Sequence, residues 1–159
     1  MKRICLSTEQ HTGITILVFA EGTILKHKSW LTLYRHNSYF PIGNAVKIIK
    51  LWNQQGANII YCTSRKNKQA DDMANILKRY GFVGSFLVAR ERKESYKDIV
   101  ECIQPDILIE DDCKSIDGAW QMCITKVKQE IKEKIKAIVV PEFKGIDILP
   151  TDIEQLYIK

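Results

Sequence analysis

The segment Ile14–Thr23, with the sequence ITILVFAEGT, decides how the rest of this chain is interpreted. Residues 14–19 are all apolar or β-branched, and such a run is typical of a strand buried on both faces of a parallel sheet. After the run comes Gly22, which can supply a turn. It is flanked in the sequence by Glu21, with its carboxylate, and by Thr23, with its hydroxyl. Because ligands bind beyond the carboxyl ends of strands in open α/β sheets, we expect Glu21 and Thr23 to face a pocket.

The composition is that of an ordinary globular chain of 159 residues, with 45% hydrophobic and 27% charged residues. This length predicts a single domain that spans residues 1–159. Every apolar run is shorter than the roughly 18 residues needed to cross a membrane, and the N-terminus lacks a secretory pattern, so we expect no membrane association. The five cysteines form no CxxC pair, which favours a reducing, cytoplasmic location over a disulfide framework or a zinc site.

The formal net charge of +5 bears on the kind of partner that the chain binds. An excess of this size favours anionic ligands, including phosphorylated ones, although a solvated basic surface is the simpler interpretation. No dense run of Lys and Arg and no RNA-binding motif accompanies the charge, so nucleic acid is not an expected partner.

Predicted strands alternate with predicted helices along the chain, which indicates a three-layer α/β fold with a parallel sheet of about five strands. Besides segment 14–19, these strands are 57–62, 85–89, 106–110 and 137–140, with a short edge strand at 2–6. Apolar residues at helical spacing predict helices at 44–55, 67–80 and 93–103, and a short helix follows Pro150. Between Ile116 and Ile135 the same spacing predicts one long helix or two shorter ones.

The segment Ile24–Ile42 does not follow this alternation. It contains Trp30, Tyr34, Tyr39 and Phe40 among several basic residues. The simpler interpretation is a small satellite core under a long loop. The alternative is a short flap over the strand ends, with an aromatic ring available to stack on a ligand.

Polar side chains follow three of the predicted strands at the points where those strands end. They are Glu21 and Thr23, Thr63 and Ser64, and Asp111 and Asp112. If the strands are parallel and adjacent, these groups lie together at one edge of the sheet. Capping of helix N-termini is the alternative role for Thr63–Ser64 and for the acidic pair. A helix that carries Lys93 and Lys97 precedes the acidic pair, and solvated helix residues are the simpler interpretation of both lysines.

This order of groups resembles the haloacid dehalogenase-like (HAD) superfamily of phosphohydrolases. In that family the first strand ends in Asp-x-Asp-Gly-Thr, the second ends in Thr or Ser, a Lys follows on a helix, and the fourth strand ends in an acidic pair. The first motif corresponds to residues 19–23 here, and the acidic motif can also be spaced as Asp112 and Asp117. The resemblance covers roughly residues 14–140. It implies a Rossmann-like domain whose helical cap is absent or reduced to residues 24–42.

The resemblance also implies a role for each group. In the family the first Asp attacks phosphorus, the second protonates the leaving group, and the acidic motif holds Mg²⁺, a cation that prefers oxygen ligands. The Thr or Ser hydroxyl and the Lys bind the phosphate. Carried over, Glu21 takes the acid/base position, and Asp111 and Asp112 take the metal position. The ligand-binding positions fall on Thr23, Thr63, Ser64, Lys93 and Lys97.

The sequence departs from the family at the nucleophile position, which is occupied by Phe19. A phenyl ring has no lone pair with which to attack phosphorus and no charge with which to bind Mg²⁺. Glu21 is a carboxylate but is one methylene longer than the aspartate of the family. No carboxylate lies between Glu9 and Glu21, so a shifted register does not restore the motif. The standard phosphoaspartate mechanism is therefore excluded.

Three functions remain open from the sequence. The first is a HAD-like protein that binds a phosphorylated or other anionic small ligand, or a partner, without standard phosphatase turnover. The second is a divergent Mg²⁺-dependent phosphohydrolase, in which Glu21, Asp111 and Asp112 hold the metal and activate a water. The third is an interaction or regulatory protein that uses Trp30–Phe40 as a contact surface. A homo-oligomer is compatible with each of them.

Overall fold

The computed structural model describes residues 1–7, 13–27 and 38–158. Its strands are β1 (Lys2–Cys5), β2 (Thr15–Phe19), β3 (Leu25–His27), β4 (Tyr39–Pro41), β5 (Asn58–Thr63), β6 (Phe86–Ala89), β7 (Ile107–Asp111) and β8 (Lys136–Val140). Its helices are α1 (Ala45–Gln54), α2 (Lys68–Arg79), α3 (Tyr96–Ile103), α4 (Gln129–Lys132) and α5 (Ile153–Tyr157). The predicted strands and most of the predicted helices are therefore present, with ends shifted by at most three residues.

Strand β2 lies inside a six-stranded sheet of order β1-β6-β5-β2-β7-β8. It runs parallel to β5 on one side and to β7 on the other. Strands β6 and β8 continue the parallel arrangement outward, and β1 pairs antiparallel with β6 at one edge. The predicted α/β fold is confirmed, with the short edge strand as the sixth member of the sheet.

The apolar sequence of β2 follows from burial on both faces of the sheet. Ile16 and Val18 belong to one cluster of buried residues, which includes apolar side chains of α1, α2 and α5. Leu17 belongs to the opposite cluster, which includes Ile99 and Val100 of α3. Helices therefore cover both faces, and the three layers hold the end of β2 in a fixed position.

The predicted long helix between Ile116 and Ile135 is wrong, and so is its division into two shorter helices. The segment instead forms three-residue 3-10 helices at Lys114–Ile116, Gly118–Trp120 and Ile124–Lys126, followed by the four-residue α4. Cys113, Asp117 and Gly118 all have a positive φ, which an α-helix does not accommodate.

The apolar spacing in this segment predicted a helix incorrectly because only some of its apolar side chains are buried. Ile124 and Val127 pack in the core beside α3, whereas the Trp120 side chain is 81% exposed. A periodic apolar pattern shows where a helix would bury its side chains, but it does not show the backbone conformation of the residues between them.

Strands β3 and β4 are the described ends of segment 24–42, and they form a separate two-stranded antiparallel sheet. The rings of His27 and Tyr39 stack across it with their centroids 3.9 Å apart. Residues 28–37, which include Trp30 and Tyr34, lie outside the described residues. The interpretation of the whole segment as a flap or a satellite core therefore stays a prediction.

Two features of the chain bear on the classes of function considered above. No helix in the described ranges is both long and apolar enough to cross a membrane.

The cysteines are all free thiols, and burial raises the pKa of Cys62 and Cys123. A buried thiol with a raised pKa is a poor nucleophile, so neither of these two cysteines suits thiol catalysis.

The turn after β2 depends on Gly22, which has a φ of 82°. A Cβ atom added at this position would lie 2.4 Å from Oδ2 of Asp111. The backbone at the end of β2 thus approaches the last residue of β7 more closely than any side chain would allow. Gly56 offers a comparison, since its φ is 94° but a Cβ atom there would meet nothing within 4 Å.

We expect Gly22→Ala to lower the free energy of unfolding by more than Gly56→Ala, as measured by urea denaturation. Both alanines must adopt a positive φ, which costs roughly 1–2 kcal/mol. Only the alanine at position 22 must also displace the Asp111 carboxylate. Equal losses in the two variants would contradict the close approach of these two strand ends.

Candidate functional site

A cavity of about 260 Å³ lies at the carboxyl ends of β2, β5 and β7, and we call it the main cavity. Phe19 and Glu21 line it from the end of β2, Ser64 and Arg65 from the end of β5, and Asp111 from the end of β7. The parallel pairing of the three strands brings these ends together. The structure thus places the polar strand ends side by side, as expected from the sequence.

The carboxylate of Glu21 is held by donors from the end of β5. Its Oε1 atom accepts hydrogen bonds from the Thr63 hydroxyl at 2.7 Å and from the Ser64 hydroxyl at 2.9 Å. The Ser64 backbone N–H donates to both carboxylate oxygens, at 3.2 and 3.3 Å. Donors arranged around an anionic oxygen in this way make short, charge-assisted hydrogen bonds. The Glu21 carboxylate therefore occupies the hydroxyl donors that the family resemblance assigns to a phosphate, and the Ser64 N–H as well.

Arg65 supplies the positive charge that lies beside Glu21 among the described residues. Its Nε atom lies 3.6 Å from Glu21 Oε1, and both Nε and Nη2 donate to the hydroxyl of Tyr39. Its guanidinium carbon is 5.4 Å from the centre of the Tyr39 ring. Desolvation raises the pKa of Tyr39, so its phenol stays protonated beside Glu21. Arg65 thereby joins the end of β5 to β4 at the rim of the main cavity.

Phe19, which the resemblance aligns with the nucleophile of the family, forms an aromatic pair. The Phe19 ring meets the ring of Tyr96 edge to face, with centroids 5.2 Å apart and planes inclined at 72°. Both rings line the main cavity. Desolvation raises the pKa of Tyr96, so its phenol is protonated and does not replace the missing aspartate as an anionic nucleophile. This side of the cavity is lined by the two aromatic rings.

Three carboxylates lie together near the ends of β7 and β8. One oxygen from each of Asp111, Asp112 and Glu142 lies within 4.8 Å of the other two. We call this group the acidic cluster. The Cys113 N–H donates to Asp111 at 2.9 Å, and the Thr23 hydroxyl donates to it at 3.3 Å. The predicted residue Thr23 therefore contacts a carboxylate of the metal position.

The other two members of the acidic cluster also have partners. Asp112 accepts a hydrogen bond from the Glu142 N–H at 3.1 Å and lies 3.2 Å from Nζ of Lys114. Glu142 accepts hydrogen bonds from the Ser115 N–H at 2.8 Å and from its hydroxyl at 2.6 Å. The 3-10 turn after β7 thus orients the carboxylates toward one another.

The electrostatics of the acidic cluster suit a cation. Burial raises the pKa of Asp111, and the nearby Glu142 carboxylate raises it further. Desolvation acts the same way on Asp112, but the Glu142 N–H and the Lys114 ammonium outweigh it and lower the pKa of Asp112. Like charges held close together favour a bound cation, and carboxylate oxygens are the ligands that Mg²⁺ prefers. These three residues fit Mg²⁺ chemically, with Lys114 as a competing positive charge.

Comparison with known proteins gives matches only in structure. No family model and no curated protein matches the chain. The class C acid phosphatase from Bacillus anthracis superimposes with a TM-score of 0.59 at 14% identity, over 87% of this chain and 70% of that chain. The same phosphatase with tungstate bound gives a TM-score of 0.57 at 14% identity, over 93% and 78%.

A chain of the Pnkp1/Rnl/Hen1 RNA repair complex gives a TM-score of 0.59 at 13% identity. The match covers 86% of this chain and 47% of that chain, so this chain spans about half the length of its structural neighbour. The chain has a HAD-like fold. At these identities the likeness concerns the fold alone, and the roles of individual residues stay predictions.

The two lysines with a predicted phosphate-binding role lie before and within α3, Lys93 in the preceding loop and Lys97 on the helix. Neither Lys93 nor Lys97 is among the described residues that line the main cavity. Lys97 lies 4.0 Å from Glu101 on its own helix, and Lys93 has a positive φ in the loop before α3. Arg65 is a cation beside Glu21. Its position in the sequence, directly after Thr63 and Ser64, could have identified Arg65 as a residue of this strand end.

Two carboxylates at the strand ends were not predicted as site residues. Glu142 follows β8 by two residues, and the rule applied to the other strand ends would have found it. Glu110 is 3% exposed and accepts hydrogen bonds from the N–H groups of Cys123 at 2.6 Å and Ile124 at 3.0 Å. Desolvation raises the pKa of Glu110, whose visible role is to fix the loop that follows β7.

A double-mutant cycle tests the contact between Glu21 and the end of β5. We expect the losses in free energy of unfolding caused by Glu21→Gln and Thr63→Val to be coupled by about 1–2 kcal/mol in urea denaturation. Either substitution alone already weakens or removes the same hydrogen bond to a charged group, so the double variant does not lose it a second time. The control pair is Glu21→Gln with Thr125→Val, whose hydroxyl donates to backbone carbonyls elsewhere. This control pair should be additive within about 0.5 kcal/mol. Additivity in both pairs would contradict the contact.

Proposed function

We propose that this chain is a HAD-like protein that binds an anionic small ligand, such as a phosphorylated one, without phosphoaspartate turnover. The observation that carries the proposal is the position of Glu21, whose carboxylate accepts the hydrogen bonds of Thr63 and Ser64. In a phosphatase of this type, those donors would face the transferred phosphate. Here an acceptor from the same chain already satisfies them.

The longer side chain of Glu21 explains how this contact arises. Glutamate is one methylene longer than the aspartate of the family, and its carboxylate reaches Thr63 on the neighbouring strand. While its oxygens hold these donors, the same donors are not free to bind equatorial phosphate oxygens. The residue in the acid/base position therefore serves as an internal anion.

The Phe19 ring works against catalysis independently of Glu21. A phosphoryl group brought to the nucleophile position would contact the edge-to-face pair of Phe19 and Tyr96. Placing a charged group against the apolar Phe19 ring is unfavourable. No residue at this position can accept the phosphoryl group, so turnover by the family mechanism lacks both its nucleophile and its binding space.

Three observations support an anionic ligand in spite of the lost chemistry. The chain carries a net charge of +5. Arg65 stands at the rim of the main cavity between Glu21 and Tyr39. One structural neighbour is a phosphatase with bound tungstate, an oxyanion. We further propose one domain over residues 1–159, with segment 24–42 as a satellite core or a short flap, and a reducing, cytoplasmic location consistent with the free cysteines.

The acidic cluster favours a second candidate function, a divergent Mg²⁺-dependent phosphohydrolase. Asp111, Asp112 and Glu142 would hold the metal, so Glu142 takes the place that the sequence suggested for Glu21. Bound Mg²⁺ would supply Lewis-acid polarisation of a phosphoryl oxygen and a more acidic water. Thr23 and the backbone N–H of Cys113 would orient Asp111 toward it.

We expect the protein to bind p-nitrophenyl phosphate but not to hydrolyse it. Calorimetry measures binding, and release of p-nitrophenolate in Mg²⁺ buffer measures turnover. Binding without turnover above the buffer blank is expected, because the ligand meets cations but no nucleophile.

Two controls separate the candidate functions. Mg²⁺-dependent hydrolysis that is lost in both Asp111→Asn and Glu142→Gln would contradict the proposal and support the phosphohydrolase. Absence of calorimetric binding would contradict the proposed ligand class.

A further inference from the structure

A second cavity of about 660 Å³ lies beside the ends of β1 and β6, and we call it the basic cavity. Lys2, Lys66, Arg90 and Arg92 line it, and Glu91 is the single acid among its described lining residues. Its volume falls within the range of roughly 300–1,000 Å³ that is typical of ligand pockets. None of these residues was a predicted site residue.

The antiparallel edge strand builds this cavity. Lys2 begins β1 and pairs with Ala89, the last residue of β6. Because β1 runs against its neighbours, its first residue lies at the edge of the sheet where the parallel strands end. The loop that contains Arg90 and Arg92 leaves β6 from the same point. The reversed strand therefore adds a cation to the edge that carries the main cavity.

The acids near the basic cavity have their own partners. Glu91 lies 3.1 Å from the amino group of Met1. Asp71 lies 2.8 Å from Nζ of Lys2. The Met1 amino group is shared with Glu94, which lies 2.5 Å away, so these contacts leave one excess carboxylate charge against the three cations Lys66, Arg90 and Arg92.

Lys66, Arg90 and Arg92 form no ion pair with any residue of the described ranges. Arg90 is the most constrained of the three, since its guanidinium carbon lies 3.9 Å from the centre of the Tyr96 ring. Its Nε atom is buried and has no hydrogen-bond partner within the described structure. A buried donor without an acceptor is costly, and an anionic oxygen is the acceptor that a guanidinium group binds best.

The beginning of α2 adds to the positive potential. Asn67 occupies the N-cap position and lines the basic cavity, but its side chain makes no capping hydrogen bond. The first N–H groups of a helix and its dipole favour an anion at this end. This contribution supplements the cations and does not define the cavity by itself.

We propose that the basic cavity binds a phosphate group, so that the anionic part of the ligand is held there and not on Thr63 and Ser64. This inference rests on the proposed function for its ligand class. Arginine forks bind phosphate oxygens in pairs, and two arginines with Lys66 match that chemistry. Ser64 lines the main cavity and Lys66, two residues later, lines the basic cavity. The rest of the ligand would extend toward the aromatic rings of the main cavity.

The test is a titration of the ¹⁵N-labelled protein with inorganic phosphate, followed by NMR. We expect saturable shifts in the amides of residues 66–69 and 90–92. Reversal of two charges in Lys66→Glu with Arg92→Glu should weaken phosphate binding roughly tenfold or more. Both side chains are exposed, so we expect the double variant to fold. Arg90→Lys keeps the charge but removes the fork, and it should also weaken binding.

The matched control is Lys47→Glu with Lys50→Glu, which changes the net charge equally at exposed positions of α1 outside both cavities. This control should bind phosphate as the unmodified protein does at moderate salt. Equal weakening in both double variants, or no saturable shift up to about 10 mM phosphate, would overturn the inference. Amide shifts centred on Glu21, Thr63 and Ser64 would also overturn the inference. They would leave the proposed function intact, because that proposal is tested by the binding and turnover of p-nitrophenyl phosphate.

Discussion

The hydrogen bond from the Thr63 hydroxyl to the Glu21 carboxylate, 2.7 Å long, joins the ends of the two central strands β2 and β5. The site depends on it. The carboxylate accepts the donors at the end of β5, and the Nε atom of Arg65 lies 3.6 Å from it. Phe19 then occupies the nucleophile position without an unpaired charge beside it. The two departures from the family motif are thus physically compatible with one another.

The charges along the carboxyl edge of the sheet are separated in the order of the strands. The basic cavity lies by β1 and β6, and the acidic cluster lies by β7 and β8. Glu21 and Arg65 stand between them as an internal ion pair. Such a separation lets an anion and a divalent cation be attracted to different ends of one edge. It accounts for both candidate functions, because binding of anions and binding of Mg²⁺ draw on different residues.

The sequence predicted the fold well because burial on both faces of β2 dictates its composition, and the strand-end rule located Glu21, Thr63 and Asp111. It failed between Ile116 and Ile135, where apolar spacing carries no information on positive φ angles. The resemblance assigned a phosphate-binding cation to Lys93 or Lys97, a role that stays a prediction, and tertiary packing adds Arg65 beside Glu21. The basic cavity was not predicted at all, since residues far apart in the sequence form it through the antiparallel pairing of β1 with β6.

The central claim is that Glu21 acts as an internal anion in the place of a ligand phosphate. A crystal structure of the unmodified protein grown in phosphate tests it most directly. The account predicts that the Glu21 carboxylate stays hydrogen-bonded to Thr63 and Ser64, with bound phosphate lying only on Lys66, Arg90 or Arg92. Phosphate oxygens on the Thr63 hydroxyl and the Ser64 N–H, with the Glu21 side chain displaced, would contradict the claim.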